Sequence, residues 1–241
     1  MRIIKLSTTT STNDYLKQLN LANKQPNFTT VWSLAQTHGK GQRGTIWIDE
    51  PGNSLTFSVL VSDVKIPTAQ LFDFNILVAI AVYDALRALK IPDLAIKWPN
   101  DILSANGKIG GILIENSLKS THFDSIVGIG INVNQLHFAD NPQARSLRMI
   151  TGQEWDLEIV LQTILQHLET GITHWEANLP QLWNRYYAAL YRYQQWATFE
   201  LKSGEVMEAK ISAVLPTGLL ELEDVSGERY TYELKQVRMV Y

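Results

Sequence analysis

Apolar and polar positions alternate along the chain in blocks that predict its elements. Ile3, Ile4 and Leu6 form a short apolar run, a strand, and Ser11-Thr12-Asn13-Asp14 then offers capping side chains to the amphipathic helix "YLKQLNLAN". "TTVWSLAQ", "TIWI" and "SLTFSVLV" are rich in β-branched and aromatic residues and predict three strands, the last two joined by the turn "DEPGN". "AQLFDFNILVAIAVYDALRALK" is apolar almost throughout, which predicts a long helix buried on most sides and finished before Pro92. "AIKW", "DIL", "KIGGILIE" and "SIVGIGINV" predict strands, with Asn106-Gly107 as a type I′ hairpin turn. Leu157, Leu161, Ile164, Leu168, Ile172 and Trp175 then recur three or four apart, a helical pattern from Asp156 to about Leu190, with Pro180 suited to the first turn of a second helix.

Strands in runs with few helices between them predict an α+β fold with a mixed or antiparallel sheet. After Tyr193 the pattern changes. "WATFEL", "EVMEAKISAV", "GLLELED" and "RYTYEL" are short strands punctuated by Ser203-Gly204, Pro216-Thr217-Gly218 and Ser226-Gly227, which predicts a small β-barrel or sandwich. The expected division is residues 1–190 and 191–241.

Composition narrows the chemistry. With 45% hydrophobic and 19% charged residues, the 241-residue chain is ordinarily globular, and a net charge of −3 gives no general attraction to nucleic acid or acidic membranes. The absence of cysteine excludes disulfides, thiolate nucleophiles and Cys-based metal centres. The five histidines lack metal-ligand spacing, so no metal site built from protein side chains is expected. "MRIIKLSTTTSTND" lacks the apolar core of a signal peptide, and no stretch approaches the roughly 20 apolar residues of a membrane span. A cytoplasmic location without membrane attachment is the expectation.

Gly39-Lys40-Gly41-Gln42-Arg43-Gly44 fits the G-x-G-x-x-G dinucleotide pattern, but that pattern must open a helix, and "TIWIDEPG" cannot start one. A P-loop fails too, because Thr45 stands where its lysine belongs. Two readings of the segment remain. Its glycines and two cations can form an anion-binding nest, or it is a hairpin with glycines at positive φ and solvated Lys and Arg. In "KWPNDILSANGKIGGILIE", Lys97, Asp101 and Lys108 interrupt apolar strands, and Gly110-Gly111 removes side chains where something approaches the backbone. Here also a plainer reading stands: a surface Lys97–Asp101 ion pair, and Lys108 as a solvated edge residue. Two basic loops, two glycine-rich approaches and a polar "STND" entry together favour an anionic small-molecule site.

"STNDYL", "AQTHGKGQRGTIW", "IKWPNDIL…GKIGGILIE" and "VGIGINVN" resemble, in order and spacing, the biotin–protein ligases over residues 1–135. The C-terminal β segment is consistent with that family in size and place. The resemblance implies a catalytic domain of the biotinyl/lipoyl-ligase type, related to class II synthetases, followed by an SH3-like β-barrel. It implies that biotin and MgATP give biotinyl-5′-AMP and pyrophosphate, and that the acyl group then passes to a lysine of a biotin carboxyl carrier protein.

Carried over by position, Ser11, Thr12 and Asn13 would contact the ureido end of biotin, and Gln36 the bound biotin or adenylate. Lys40, Gly41, Gln42 and Arg43, flanked by Gly39 and Gly44, would form a loop closing over biotin and phosphate, with Trp47 beside it. Lys108 would touch the biotin carboxylate and the α-phosphate, and Asp101 would meet the acceptor lysine. Lys97, Asn100, Gly111, Ile112, Gly128 and Asn132 would border the pocket. Lys108, Arg43 and Asp101 are thus the expected catalytic residues.

Two features depart from the family's pattern. Gln42 and Thr45 stand where many members have arginine, which shifts retention of the intermediate toward Arg43. The chain starts one strand before "STND", so the operator-binding winged helix-turn-helix of some members, and DNA binding with it, is not expected. A lipoate–protein ligase of the same fold is the nearest alternative, and a non-catalytic adaptor or nucleic-acid-binding module a more distant one. Monomer and homodimer both remain open.

Overall fold

The computed structural model describes residues 1–67, 70–138 and 141–240. Seven strands form one sheet: β1 (Ile3–Leu6), β2 (Thr30–Ser33), β3 (Ser54–Val64), β4 (Leu94–Lys97), β5 (Asp101–Ser104), β6 (Gly107–Leu118) and β7 (Phe123–Asn132). Their order is β1-β2-β3-β7-β6-β5-β4. Only β1 and β2 pair in parallel, so the sheet is mixed, as the strand runs predict.

Alternation along β3 and β7 divides the apolar residues between the two faces. Phe57, Val59 and Val61, with Val127, Ile129 and Ile131, enter the main core beneath α2 (Leu71–Ala88) and α4 (Leu157–Thr173). α2 is buried along most of its length, which matches its near-continuous apolar sequence. On the opposite face α1 (Thr12–Ala22) covers one end with Leu16, packed on Val31, Leu60 and Ile126. The rest of that face carries Thr56, Ser58, Gly111, Gly128 and Gly130, with Leu113 beside them.

A cross-strand row runs over this open part of the sheet: Thr56 pairs with Gly130, Gly130 with Gly111, Gly111 with Asp101, and Asp101 with Lys97. Directly opposed residues share a face, so five strands contribute one line of functional positions. The β5–β6 pairing contains a bulge: Ile102 opposes Gly110 while Leu103 opposes Lys108, leaving Ile109 extra. Ile109 is buried in the main core, and a Cβ on Gly110 would meet Ile131 and Ile102 there. Two consecutive residues therefore face the core, and Lys108 emerges on the side of Gly111.

The C-terminal strands β8 (Trp196–Leu201), β9 (Val206–Val214), β10 (Leu220–Asp224), β11 (Arg229–Tyr232) and β12 (Val237–Val240) form an antiparallel sheet of order β11-β10-β9-β8-β12. Gly204, Gly218 and Gly227 have positive φ at its turns, as their turn-forming sequences predict. This module is not separately cored. Phe199, Ile211, Leu220 and Leu222 join the same apolar cluster as α2 and the large sheet. Trp98 Nε1 donates to Gly218 O at 2.9 Å, and Tyr187 Oη donates to Val214 O at 2.9 Å.

Four local expectations change. "TIWI" forms no strand; it has only a bridge between Lys40 and Ile46, and Ile46 and Ile48 are exposed, because no neighbouring strand pairs with the segment. The β5–β6 turn is centred one residue earlier, at Ala105 (φ 46°) and Asn106 (φ 61°). Gly107 instead begins β6, where a Cβ would lie 2.2 Å from Arg145 Cγ. α5 (Trp175–Ala189) starts ahead of Pro180, which lies inside the helix rather than in its first turn. α3 (Leu147–Thr151) and β12 are additional elements, each too short to carry a periodic signal. Among the described residues, no helix is long and apolar enough to cross a membrane.

Candidate active site

Above the glycine row lies a cavity of about 470 Å³, within the usual size of small-molecule sites. Its floor contains Thr56, Gly130, Gly111, Asp101 and Lys97, the whole cross-strand row. Two glycines are needed there for close approach. A Cβ on Gly130 would lie 2.5 Å from the Trp47 ring, and one on Gly128 would lie 2.3 Å from Asn13 Oδ1.

One wall is the start of α1. Ser11 is the N-cap, its side chain accepting from Asp14 N at 3.5 Å. Thr12 and Asn13 are buried by a network: Ser58 Oγ is 2.7 Å from Thr12 Oγ1 and 2.6 Å from Asn13 Oδ1, while Asn13 Nδ2 donates to Glu115 Oε2 at 2.7 Å. Gln36 Oε1 accepts from Thr12 N at 2.8 Å. Gln36 N in turn donates to Asp49 Oδ2 at 3.0 Å, and burial pushes the Asp49 carboxyl above its ordinary range. These bonds fix a corner that faces the cavity with the polar, uncharged side chains of Ser11, Thr12, Asn13 and Gln36, suited to a neutral ligand end rich in donors and acceptors.

The opposite end carries charge. Lys108 Nζ is 2.6 Å from Asp101 Oδ1, and both are only partly exposed. Lys108 Nζ also lies 5.9 Å from the centre of the Trp47 ring. Asp101 therefore pairs with Lys108, although Lys97 is its cross-strand partner. Asn100 Nδ2 donates to Ile112 O at 2.7 Å and Ile112 N to Asn100 O at 3.0 Å, which fixes the strand entry beside this pair.

Gly39 to Thr45 fold as a small hairpin around a 3₁₀ turn (Gln42–Gly44), with Gly41 N donating to Thr45 O at 2.7 Å and Trp47 N to Gly39 O at 3.0 Å. Its cations are engaged with protein groups. Lys40 Nζ is 2.6 Å from Asp14 Oδ2, a contact that raises the Lys40 pKa. Arg43 (φ 47°) reaches away to Leu234 O and Glu233. The backbone of the segment is a hairpin, but only Gly44 of its three glycines has positive φ and its two cations bond protein groups; the cations that line the cavity are Lys40, Lys97, Lys108, Lys235 and Arg238.

Of the residues expected at the site, Ser11, Thr12, Asn13, Gln36, Lys40, Gly41, Gln42, Trp47, Lys97, Asn100, Asp101, Lys108, Gly111, Ile112 and Gly128 line the cavity. Gly39, Arg43, Gly44 and Asn132 do not. Asn132 is buried behind the floor, donating to Arg145 O at 3.1 Å and Lys108 O at 3.3 Å. It steadies the base of Lys108. Sequence reading missed the far wall: Phe199, Ile211, Leu220, Leu234, Lys235, Val237, Arg238 and Met239, all from the C-terminal module. Nothing in their local pattern marks them, because they reach the cavity only through packing between distant elements. On the hairpin side of the cavity, Gln42 Oε1 and Trp47 Nε1 are buried without a hydrogen-bond partner, an acceptor and a donor left for a ligand.

The sequence of residues 6–132, more than half of the chain, matches the Biotin/lipoate A/B protein ligase family. A bifunctional ligase/repressor BirA of Bacillus spizizenii is 34% identical over 173 residues, which are 68% of this chain and 53% of that protein. A biotin–[acetyl-CoA-carboxylase] ligase of Paracoccus denitrificans is 31% identical over 205 residues, 82% of each chain. The chain spans about half the length of the Bacillus relative that it matches. In fold it resembles the biotin protein ligase of Aquifex aeolicus solved with biotin and ATP, at a TM-score of 0.80 and 22% identity over 99% of this chain and 98% of that one. With its matched segment covering the α1 wall, the glycine hairpin and the whole cavity floor, this chain belongs to the biotin/lipoate A/B protein ligase family.

Proposed function

We propose that this chain is a biotin–protein ligase. It would activate biotin with MgATP, giving biotinyl-5′-AMP and pyrophosphate, and pass the acyl group to a lysine of a biotin carboxyl carrier protein. The observation that carries the reading is the Lys108–Asp101 pair beside Gly111, set at the charged end of a cavity whose other end is neutral and polar. Biotin has that polarity, with a neutral ureido ring at one end and a carboxylate at the other.

In the first step a biotin carboxylate oxygen bonds to the α-phosphorus of ATP, the α–β phosphate link breaks, and pyrophosphate leaves. Two anions must meet, so the protein's task is positioning and charge neutralisation. Lys108 supplies a fixed ammonium at that junction. Mg²⁺ arrives with the nucleotide as part of the substrate, held by its phosphates. In the second step a neutral lysine amine attacks the acyl carbon, and AMP leaves. Asp101 orients that amine and takes its proton. Residues 1–190 carry this chemistry, and residues 191–241 close the second wall.

Biotin-dependent exchange of labelled pyrophosphate into ATP tests the first step, and the mass of a carrier domain after incubation tests the second. Replacing biotin by lipoate separates the two branches of the family. No exchange with biotin from folded protein would overturn the proposal.

A further inference from the structure

The glycine hairpin and the turn between β11 and β12 hold each other by their backbones. Arg43 Nη1 donates to Leu234 O at 2.9 Å, and its Nη2 is 3.3 Å from Glu233 Oε2. In return Lys235 Nζ donates to Arg43 O at 2.6 Å. Both residues sit in the left-handed region, Arg43 at φ 47° and Lys235 at φ 70°, which residues with a side chain seldom adopt. Each is the residue whose side chain makes the crossing contact.

We propose that this reciprocal pair is a latch by which the C-terminal module holds the glycine hairpin over the cavity, so that its opening sets how fast bound ligand escapes. Lys235 and Glu233 are then positioning residues that act through the hairpin. For the ligand's identity the inference rests on the ligase reading; for the latch itself it does not.

Three observations place the latch at the mouth of the cavity. Gly41 and Gln42 line the cavity from the hairpin side, and Leu234 and Lys235 line it from the other. The base of the hairpin is fixed independently, by Trp47 N on Gly39 O and by the Trp47 ring lying over Gly130, so its tip is the part that Arg43 and Lys235 secure. Finally, the side chains of Arg43 and Glu233 are 52% and 57% exposed, which makes the contact weak and easily reversed. A contact meant to open should be of this kind, whereas the buried Asn13–Ser58 network below it should not.

The test uses the full chain. Amide hydrogen exchange is measured without ligand in wild type, Lys235→Met, Glu233→Gln and the conservative Lys235→Arg. Release of biotinyl-AMP formed from biotin and MgATP is measured by chase in the same set. Exchange at the Gly41 and Thr45 amides should rise about fivefold in Lys235→Met, the scale of one exposed polar contact, with the β7 amides unchanged. Release should rise by a similar factor, and Lys235→Arg should reverse both changes. Glu233→Gln should move each in the same direction by less, and it serves alone if Lys235→Met does not fold. Unchanged hairpin exchange in both variants overturns the latch, as does faster exchange with unchanged release. Failure of wild type to form biotinyl-AMP would strike the ligase reading instead, and the exchange arm would still decide whether the hairpin is latched.

Discussion

Lys108 Nζ stands 2.6 Å from Asp101 Oδ1, so the cation expected to neutralise one substrate rests on the carboxylate expected to receive the other. An incoming carboxylate or phosphate competes with Asp101 for that ammonium. Anion binding would then release Asp101 to face the acceptor amine, which ties the order of the two steps to one ion pair.

Lys108→Ala should lose on the order of 10²–10³ in pyrophosphate-exchange rate, the scale of removing one preorganised electrostatic group. The pair is partly solvated, so the urea midpoint should change little. A normal exchange rate would return Lys108 to a surface role.

Asp101→Asn should separate the half-reactions. Lys108 loses its resting partner but stays beside Gly111, so adenylation should hold within about tenfold while transfer to the carrier falls by about 10²–10⁴, the range for a lost general base. Single-turnover transfer from preloaded biotinyl-AMP checks this. Equal losses in both steps would contradict a role specific to the acceptor.

Gly130→Ala should weaken biotin binding without unfolding the chain. The new methyl would lie 2.5 Å from the Trp47 ring, and moving that ring into the cavity should cost about 1–3 kcal/mol, a loss of affinity of roughly 5- to 150-fold by calorimetry. Unchanged affinity would show that Trp47 can move aside without narrowing the site.

Asp49 offers a pH test. Burial raises its folded pKa above the unfolded value, so its contribution to stability is fully present below the ordinary Asp range and is lost as pH rises through the raised value. Asp49→Asn keeps an acceptor for Gln36 N but carries no charge. Relative to wild type, the variant's urea midpoint should therefore improve as pH rises from the ordinary Asp range, about 4, through the raised value. A constant difference across that window would show that hydrogen bonding, not charge burial, governs the site.

Much of the cavity was legible in the sequence because its floor comes from contiguous motifs. "KWPND" and "GKIGG" lie on neighbouring strands, and a single hairpin brings them together. The polar "STND" segment could be read as a helix cap, and Ser11 is one. Arg43 was less legible, since its partners Glu233 and Leu234 lie 190 and 191 residues away. The wall formed by Phe199, Val237 and Met239 was hidden for the same reason. Local periodicity says which face of an element is apolar, but not which other element will meet it. The early turn at Ala105-Asn106 is a subtler case: Gly107 carries the usual signal for positive φ, yet it answers to crowding by Arg145.

The bulge beside Lys108 makes the chemistry depend on arithmetic as well as distance. Lys108 and Gly111 are three positions apart, an odd number, which in a regular strand would send them to opposite faces. The extra residue restores agreement. Shortening the chain by one residue at Ile109 or Gly110 would therefore leave Lys108 and Gly111 on the same side, with the strand merely straightened. Shortening it by one at Ile112 or Leu113, with the far half of β6 held in place, would also use up the bulge and leave Lys108 opposite Leu103, but it would carry Gly111 to the core face and bring Gly110 to the cavity face. Single-residue deletions on the two sides of Gly111 are thus not equivalent: those before it keep Gly111 on the cavity floor, and those after it move Gly111 off that floor while Lys108 stays.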